Sequence, residues 1–466
     1  MALRLTHRLA AIACATLLTT QVLQPSFAQT GQARLAGALS SATDGQEVQQ
    51  PLTLEGALSI ARRSHPDLRV AEANLATLRA DSTFAGIPAF NPVVELQTAR
   101  GGRSIGSGSE GTLELGVSQE LELGGKRAAR QAVATAHSRA GAAEWNLKLQ
   151  ELESEVRARF ERTLFLQDRL ETLDAIAGLD RRVVAAAQAR VRDGSMTPVT
   201  GRLTELDLLR VEAQGHRARA DLRQSLVALG LSMGQAVPDS TRLTGVLQPD
   251  SLQMAEDSVV VLAMNVRGDG EVLRREIAAR QAEFQLADRE ARPNLTLGLG
   301  ITRERRSLSN DDFTGDPAIV RGIAGARATD HLWTARISAP LPIVQKNQAG
   351  RARASAEIVR SQADYNRYRL RTQLQVLGAV RRFKDVTGLY GLYLDRSTRV
   401  RQDLVLIREA YADGRIPLDS YLTQKGRLVD TLLGQLEAAD AYWEARGELE
   451  SAIGLDLAHI NVGSAR

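Results

Sequence analysis

Cysteine is almost missing from this chain. Of 466 residues only Cys14 is a cysteine, and it lies inside the mostly apolar stretch Leu9–Leu23 near the N-terminus. Residues 1–28 read as a signal peptide: Arg4, His7 and Arg8 form a basic front, and Ser26-Phe27-Ala28 offers a small-x-small cleavage site. Cleavage just before Cys14, as in a lipoprotein, would leave an apolar core of only about five residues, too short for that role. A chain beginning after Ala28 has no cysteine, which excludes disulfides and thiolate metal sites. Aromatic residues are only 4% of the sequence, too few for an ordinary compact core and suited to long Ala/Leu helices. Lysine is confined to Lys126, Lys148, Lys346, Lys384 and Lys425; the remaining basic residues are arginines. The net charge of +4 falls to +2 without the leader, and acidic and basic residues are interleaved, so no nucleic-acid partner is expected. No later stretch of about 18 apolar residues exists to form a transmembrane helix. His65, His137, His216, His331 and His459 form no i, i+4 pair, and no phosphate loop, nucleophile elbow or zincin motif is present. No enzyme, cofactor or metal site is expected.

What is present is periodicity. Leu113, Leu115, Val117 and Leu121 alternate with Thr112, Glu114, Gly116, Ser118 and Glu120, which predicts a half-buried strand over 112–121. Gly124-Gly125 ends it, and no proline interrupts the next stretch until Pro198. Leu149, Leu152, Val156, Phe160, Leu166, Leu170, Leu173, Ile176, Leu179, Val183, Ala187 and Val191 step by threes and fours apart from one wider gap, predicting one long helix with a narrow apolar stripe. Asp193-Gly194 stops it, and a returning helix carries Leu203, Leu206, Leu209, Ala213, Leu222, Leu226 and Leu229. Upstream, residues 29–51 read as a flexible arm, two helices flank His65-Pro66, and a weaker strand covers 93–99. After a linker at 233–269 the pattern restarts, with a helix, strands at 294–302 and 332–341, and a hairpin over 346–454. Its stripe runs Leu374, Leu377, Val380, Phe383, Val386, Tyr390, Tyr393, Ser397, Val400, Leu404, Ile407, Tyr411.

Ser118 and Ser338, Lys126 and Lys346, and Asp193-Gly194 and Asp413-Gly414 all stand 220 residues apart. The chain is therefore read as a tandem repeat, with repeats at 52–232 (hairpin 126–232) and 270–456 and a tail at 457–466. A helix of about 66 residues spans roughly 100 Å, more than a globular domain needs. Four strands with one apolar and one polar face match the alternation of an outer-membrane barrel, but about eight strands are the fewest that close one. Several chains would have to share it.

Leu52–Pro66 (LTLEGALSIARRSHP), Gln119–Arg127 (QELELGGKR), the duplication and Tyr411–Leu422 (YADGRIPLDSYL) together resemble the TolC-like outer-membrane efflux proteins over nearly all of the mature chain. ELGGKR is similar to the branch serving cobalt–zinc–cadmium-type cation efflux. The resemblance implies a mainly helical fold: long hairpins forming a periplasmic α-barrel, and four strands per chain in a homotrimeric twelve-strand outer-membrane β-barrel. It also implies a passive exit duct, with heavy-metal cations as cargo, docked on a periplasmic adaptor (membrane fusion) protein and an RND-type inner-membrane pump. A drug-efflux or type I protein-secretion duct, and a soluble periplasmic coiled-coil scaffold, are the competing readings.

The hairpin tips carry the docking and pore-closing candidates Asp193, Gly194, Pro198, Asp413, Gly414, Arg415, Pro417 and Asp419, unless these are only helix-hairpin turns. Asp419 falls where the family often carries an acidic ring, or else it N-caps the returning helix. Glu114, Glu120 and Arg336 are lumen candidates, and Trp333 is a candidate for the lipid-interface girdle. Lys126 and Arg127 begin a helix at its electropositive end, which points to lipid headgroups or to a tolerated surface charge.

Overall fold

A computed structural model describes residues 51–101, 110–247, 249–250, 252, 254–307 and 327–457. The expectations for the leader, for the arm up to residue 50 and for the tail from residue 458 lie outside these. Helices α1 (Leu54–Ser64) and α2 (Pro66–Phe84) lead into strands β1 (Val93–Gly101) and β2 (Glu110–Leu121), then α3 (Lys126–Arg192) and α4 (Pro198–Met233). The second series is α5 (Glu256–Val266), α6 (Gly268–Glu290), β3 (Leu295–Ser307), β4 (Arg327–Ser338), α7 (Gln348–Ala412) and α8 (Leu418–Ile453). No described helix is long and apolar enough to cross a membrane.

Local chemistry sets the boundaries. The Thr53 hydroxyl accepts from the Gly56 N–H to cap α1, and His65 Nδ1 accepts from the Asp67 N–H to cap α2, with Pro66 at the first turn where no N–H is needed. Between β2 and α3, Gly124 adopts a left-handed φ of 77° and packs so closely on Arg292 that a Cβ would lie 2.3 Å from that side chain. Only glycine fits there. β4 stops at Ser338, short of the expected Leu341, because Pro340 and Pro342 cannot donate to a sheet ladder. α7 begins at Gln348 rather than Lys346 because Asn347 turns left-handed, φ 54°. The stretch read as a linker contains α5, whose apolar run Val259–Ala263 packs into a core.

The four strands form one antiparallel sheet in the order β1-β2-β3-β4. α3 pairs with α4 and α7 with α8 as long hairpins, and α3 also packs on α2, α6 and α8. At 67 residues, α3 is roughly 100 Å long.

The expected single stripe on α3 is two-sided at mid-length. Thr163, Leu164, Phe165 and Leu166 are all buried. Phe160 and Leu164 join Leu58, Val156, Leu226 and Leu229 in one core, while Phe165 and Leu166 join Phe383, Tyr442, Trp443 and Leu449 in the other. One helix thus binds both repeats together.

On α4 the expected stripe holds in the second half, where Leu226 and Leu229 are buried, but its first half is the wrong face. Leu203, Leu206, Leu209 and Ala213 are exposed, and the buried seam is Gly201, Thr204, Val211, Gly215 and Ala218. Small residues let α4 approach α3 closely. On α7 the expected Leu374 is likewise exposed and Val376 is buried in its place. A single chain therefore leaves apolar side chains in water on two separate segments: Val199, Leu203, Leu206 and Leu209 of α4 near the tip, and Leu370 and Leu374 of α7 far from it. Rows of exposed apolar side chains of this kind mark an interface.

Candidate conduit and hairpin-tip site

The sheet register sorts the side chains into two faces. Val94 lies beside Val117, Leu299 and Ala335; Leu96 lies beside Leu115, Ile301 and Trp333. With Leu113, Leu121, Leu295, Leu297 and Ile337 these form an apolar band, interrupted by Gln119 beside Leu297. Its height from the Leu121 row to the Leu113 row is about 27 Å along the strands, or about 20 Å after a barrel tilt, close to the apolar band of an outer-membrane barrel. Trp333, 83% exposed, sits in this band one row below the end remote from the helices.

The opposite face is polar. Glu95 lies in a row with Gly116, Gly300 and Thr334; Glu114 with Gln97 and Thr302; Glu304 with Thr112 and Asp330. Arg336 lies beside Gly298 and one strand from Ser118. Glu120 lies at the helix-side end, where its Oε1 accepts from Asn294 Nδ2 at 2.6 Å. Asn294 Oδ1 in turn accepts from Lys126 Nζ at 2.6 Å. This relay explains a lysine at a helix start: a carboxylate and an amide offset the unfavourable dipole.

The two hairpin tips share one construction. Asp193 and Asp413 are C-caps, followed by Gly194 (φ 73°) and Gly414 (φ 74°), and the next N–H groups reach back to Arg190 and Ala410. α4 then starts at Pro198 under a Thr197 cap. α8 starts after Pro417, which has no capping side chain, so Asp419 is not an N-cap but an exposed first-turn acid favoured by the helix dipole. Arg415 pairs with Asp413 at 2.6 Å. The tips are packed together: Tyr411 stacks on Tyr421 with centroids 4.9 Å apart, Arg190 lies over Tyr411, and Met196 and Ile416 close the cluster.

A sheet with a lipid-facing and a polar side, carried on paired hairpins of this length, has known counterparts. The family model described as outer membrane efflux protein matches residues 57–235. The cobalt-zinc-cadmium resistance protein CzcC of Cupriavidus metallidurans is 26% identical over 340 residues, 69% of this chain and 70% of that protein. The chain thus resembles the outer membrane efflux proteins, the family match falling on its first repeat. Its fold is that of CusC, at a TM-score of 0.65 and 16% identity over 86% of this chain and 92% of that one. It is also that of the outer membrane protein VceC of Vibrio cholerae, at 0.63 and 18% over 87% and 96%. CusC is described as forming a transmembrane channel and VceC as an outer membrane protein.

Two charged groups inside the helical hairpins escaped the sequence reading. Lys425 of α8, only 5% exposed, places Nζ 2.6 Å from Asp180 Oδ1 of α3 and also pairs with Asp207 of α4. One cation thus joins both hairpins, within about 20 Å of the tips by helix rise. Burial raises the Asp180 pKa, with Lys425 opposing, and burial together with Asp180 pushes the Tyr421 hydroxyl up. The signal was available: Asp180 stands on the Leu173–Ile176–Val183–Ala187 stripe, where an apolar residue is due.

The second group lies at mid-length of the hairpins. Buried Arg446 contacts Glu450 at 3.0 Å, Glu161 and Asp456 at 3.6 Å and Asp250 at 3.7 Å, and stands over Trp443. Arg157 pairs with Asp456 at 2.6 Å. Two arginines thus face four carboxylates. Burial pushes Glu161 up to about 7 from 4.5, opposed by Arg446 and reinforced by Glu450. Because its folded value exceeds the unfolded one, the folded state binds the proton more tightly, and the associated stability is lost as pH rises from 4.5 towards 7. Glu161→Gln is expected to match wild type in stability below that window. Above it the variant should be more stable by on the order of 3 kcal/mol. Denaturant titrations at several pH values check this.

Proposed function

We propose that three copies of this chain form the passive exit duct of a tripartite efflux system, conducting heavy-metal cations from the periplasm to the exterior. The observation that carries the reading is a sheet that is amphipathic across its width yet has only four strands. Four strands do not close, and open edges in lipid leave backbone groups unpaired at several kcal/mol each. β1 and β4 are the edges, and strand directions alternate, so β4 of one chain continues the antiparallel order beside β1 of the next. Three chains close twelve strands, and the exposed stripes on α4 and α7 then meet neighbouring hairpins.

The polar face becomes the lumen wall. Glu95, Glu114, Glu120, Glu304 and Asp330 against Arg336 favour cations there, as does the likeness to a relative named for cobalt, zinc and cadmium resistance. Trp333 serves as an interface anchor. The paired tips, with exposed Asp193, Gly194, Pro198, Asp413, Gly414, Arg415, Pro417 and Asp419, form the docking end for a periplasmic adaptor of the membrane fusion type, which links the duct to an RND-type pump.

A deletion strain tests the cargo: growth should become sensitive to zinc, cobalt or cadmium and be restored by the intact gene, whereas sensitivity to detergents and drugs alone would indicate another cargo. In planar bilayers the channel should prefer cations. Glu95→Gln with Glu114→Gln should reduce that preference, and unchanged selectivity would remove the lumen role of these carboxylates.

A further inference from the structure

The apolar band ends abruptly at the sheet's outer end. In its last two rows the same face carries Thr98, Leu113, Arg303 and His331, then Arg100, Gly111, Arg305 and Thr329. Arg100 and Arg305 flank Gly111, so their Cα atoms stand about 10 Å apart, and Arg303 lies two residues below Arg305, about 7 Å along the strand. Arg100, Arg303, Arg305 and His331 are exposed, and no carboxylate shares these two rows on this face. The nearby acids Glu304 and Asp330 alternate to the polar face. Among the described residues the three arginines have no ion-pair partner. An arginine cluster directly continuous with a lipid-facing band sits at the depth of lipid headgroups, and guanidinium groups match phosphate oxygens in pairs.

We propose that this arginine belt binds the phosphate groups of the anionic glycolipid of the outer leaflet, lipopolysaccharide. Arg100, Arg303 and Arg305 form the phosphate contacts, with Trp333 packing one row beneath on the acyl chains. The proposal rests on the outer-membrane reading, because it needs this end of the sheet to face the outer leaflet. It adds a ligand of defined chemistry on the outside of the barrel, separate from any cargo in the lumen.

The test uses full-length protein purified in neutral detergent, titrated with lipopolysaccharide and with the same lipid after enzymatic dephosphorylation. Wild type should bind the phosphorylated form at least roughly tenfold more tightly, equivalent to about 1.4 kcal/mol. The triple variant Arg100→Gln/Arg303→Gln/Arg305→Gln should lose that preference, while Arg336→Gln on the opposite face should keep it. Equal binding of the two lipids by wild type overturns the proposal, and that arm needs no variant to fold. Displacement of lipopolysaccharide by phosphatidylglycerol at equal phosphate concentration also overturns it. Membrane fractionation of the producing cells, before solubilisation, separates the two levels. Protein found in the outer membrane without phosphate preference sinks the belt alone; protein absent from that membrane sinks both.

Discussion

Replacing Lys425 by alanine is expected to destabilise the periplasmic helices by about 3–5 kcal/mol, the usual cost of removing one partner from a buried pair. The loss is large because of what remains. Asp180 is 2% exposed, and Lys425, with Nζ 2.6 Å from its Oδ1, is its compensation. Asp207 is only half-buried and can turn to water. Removing the acid with the base should reverse most of the loss: Lys425→Met with Asp180→Leu replaces a desolvated pair by apolar packing, which is often neutral or better. Guanidinium titration measures the difference, and amide hydrogen exchange localises it. Exchange should accelerate in the first turns of α8 and in α3 around Asp180, and stay unchanged in the mid-length core around Tyr442. A loss under about 1 kcal/mol in the single variant would mean that the lysine is a solvated surface charge.

Leu299→Arg is expected to be nearly as severe for a different reason. Leu299 is on an inner strand, between Val117 and Ala335, in the middle of the apolar band and 71% exposed in the single chain. An arginine at the bilayer midplane of an outer-membrane barrel costs about 2–4 kcal/mol per site, and threefold repetition brings this to roughly 6–12 kcal/mol per assembly. Outer-membrane abundance and the heat-resistant band on gels should both fall sharply. Thr302→Arg is the control. It lies on the other face beside Glu114, so it should insert and assemble like wild type. If both variants behave alike, the faces have been assigned wrongly.

Much of the architecture was open to reading because strands at a lipid boundary cannot hide their period. Within the apolar band, Leu113, Leu115 and Val117 alternate without exception with Thr112, Glu114 and Gly116, and Leu295, Leu297, Leu299 and Ile301 alternate with Thr296, Gly298 and Gly300. The hairpin tips were equally legible, since a left-handed turn after an aspartate C-cap demands Gly194 and Gly414. Helical seams were harder. α4 carries two faces that avoid water, and hydropathy favours the one with the larger side chains. Leu203, Leu206 and Leu209 therefore stood out, while the seam with α3 is made from Gly201, Thr204, Val211, Gly215 and Ala218. A chain whose helices pack both within and between subunits presents this ambiguity at every turn. Lys425 was hidden for another reason: it reads as an ordinary solvated charge, and although Asp180 breaks the α3 stripe, only tertiary packing brings residues so far apart in sequence together. Glu161 and Arg446 were missed the same way.

The central claim is that β1 of one chain completes the sheet of another through β4. Within one chain these strands are separated by three strand spacings, about 14 Å, beyond the roughly 7 Å Cα limit for a disulfide. Cys14, near the N-terminus, is the one cysteine of the sequence. Leu96→Cys combined in turn with a cysteine at Trp333, Ala335 or Ile337, all on the same face, should give, for the matching register, dimers and trimers on a non-reducing gel from intact outer membranes. Monomers alone in every pairing, from protein properly inserted in the membrane, would contradict the shared barrel.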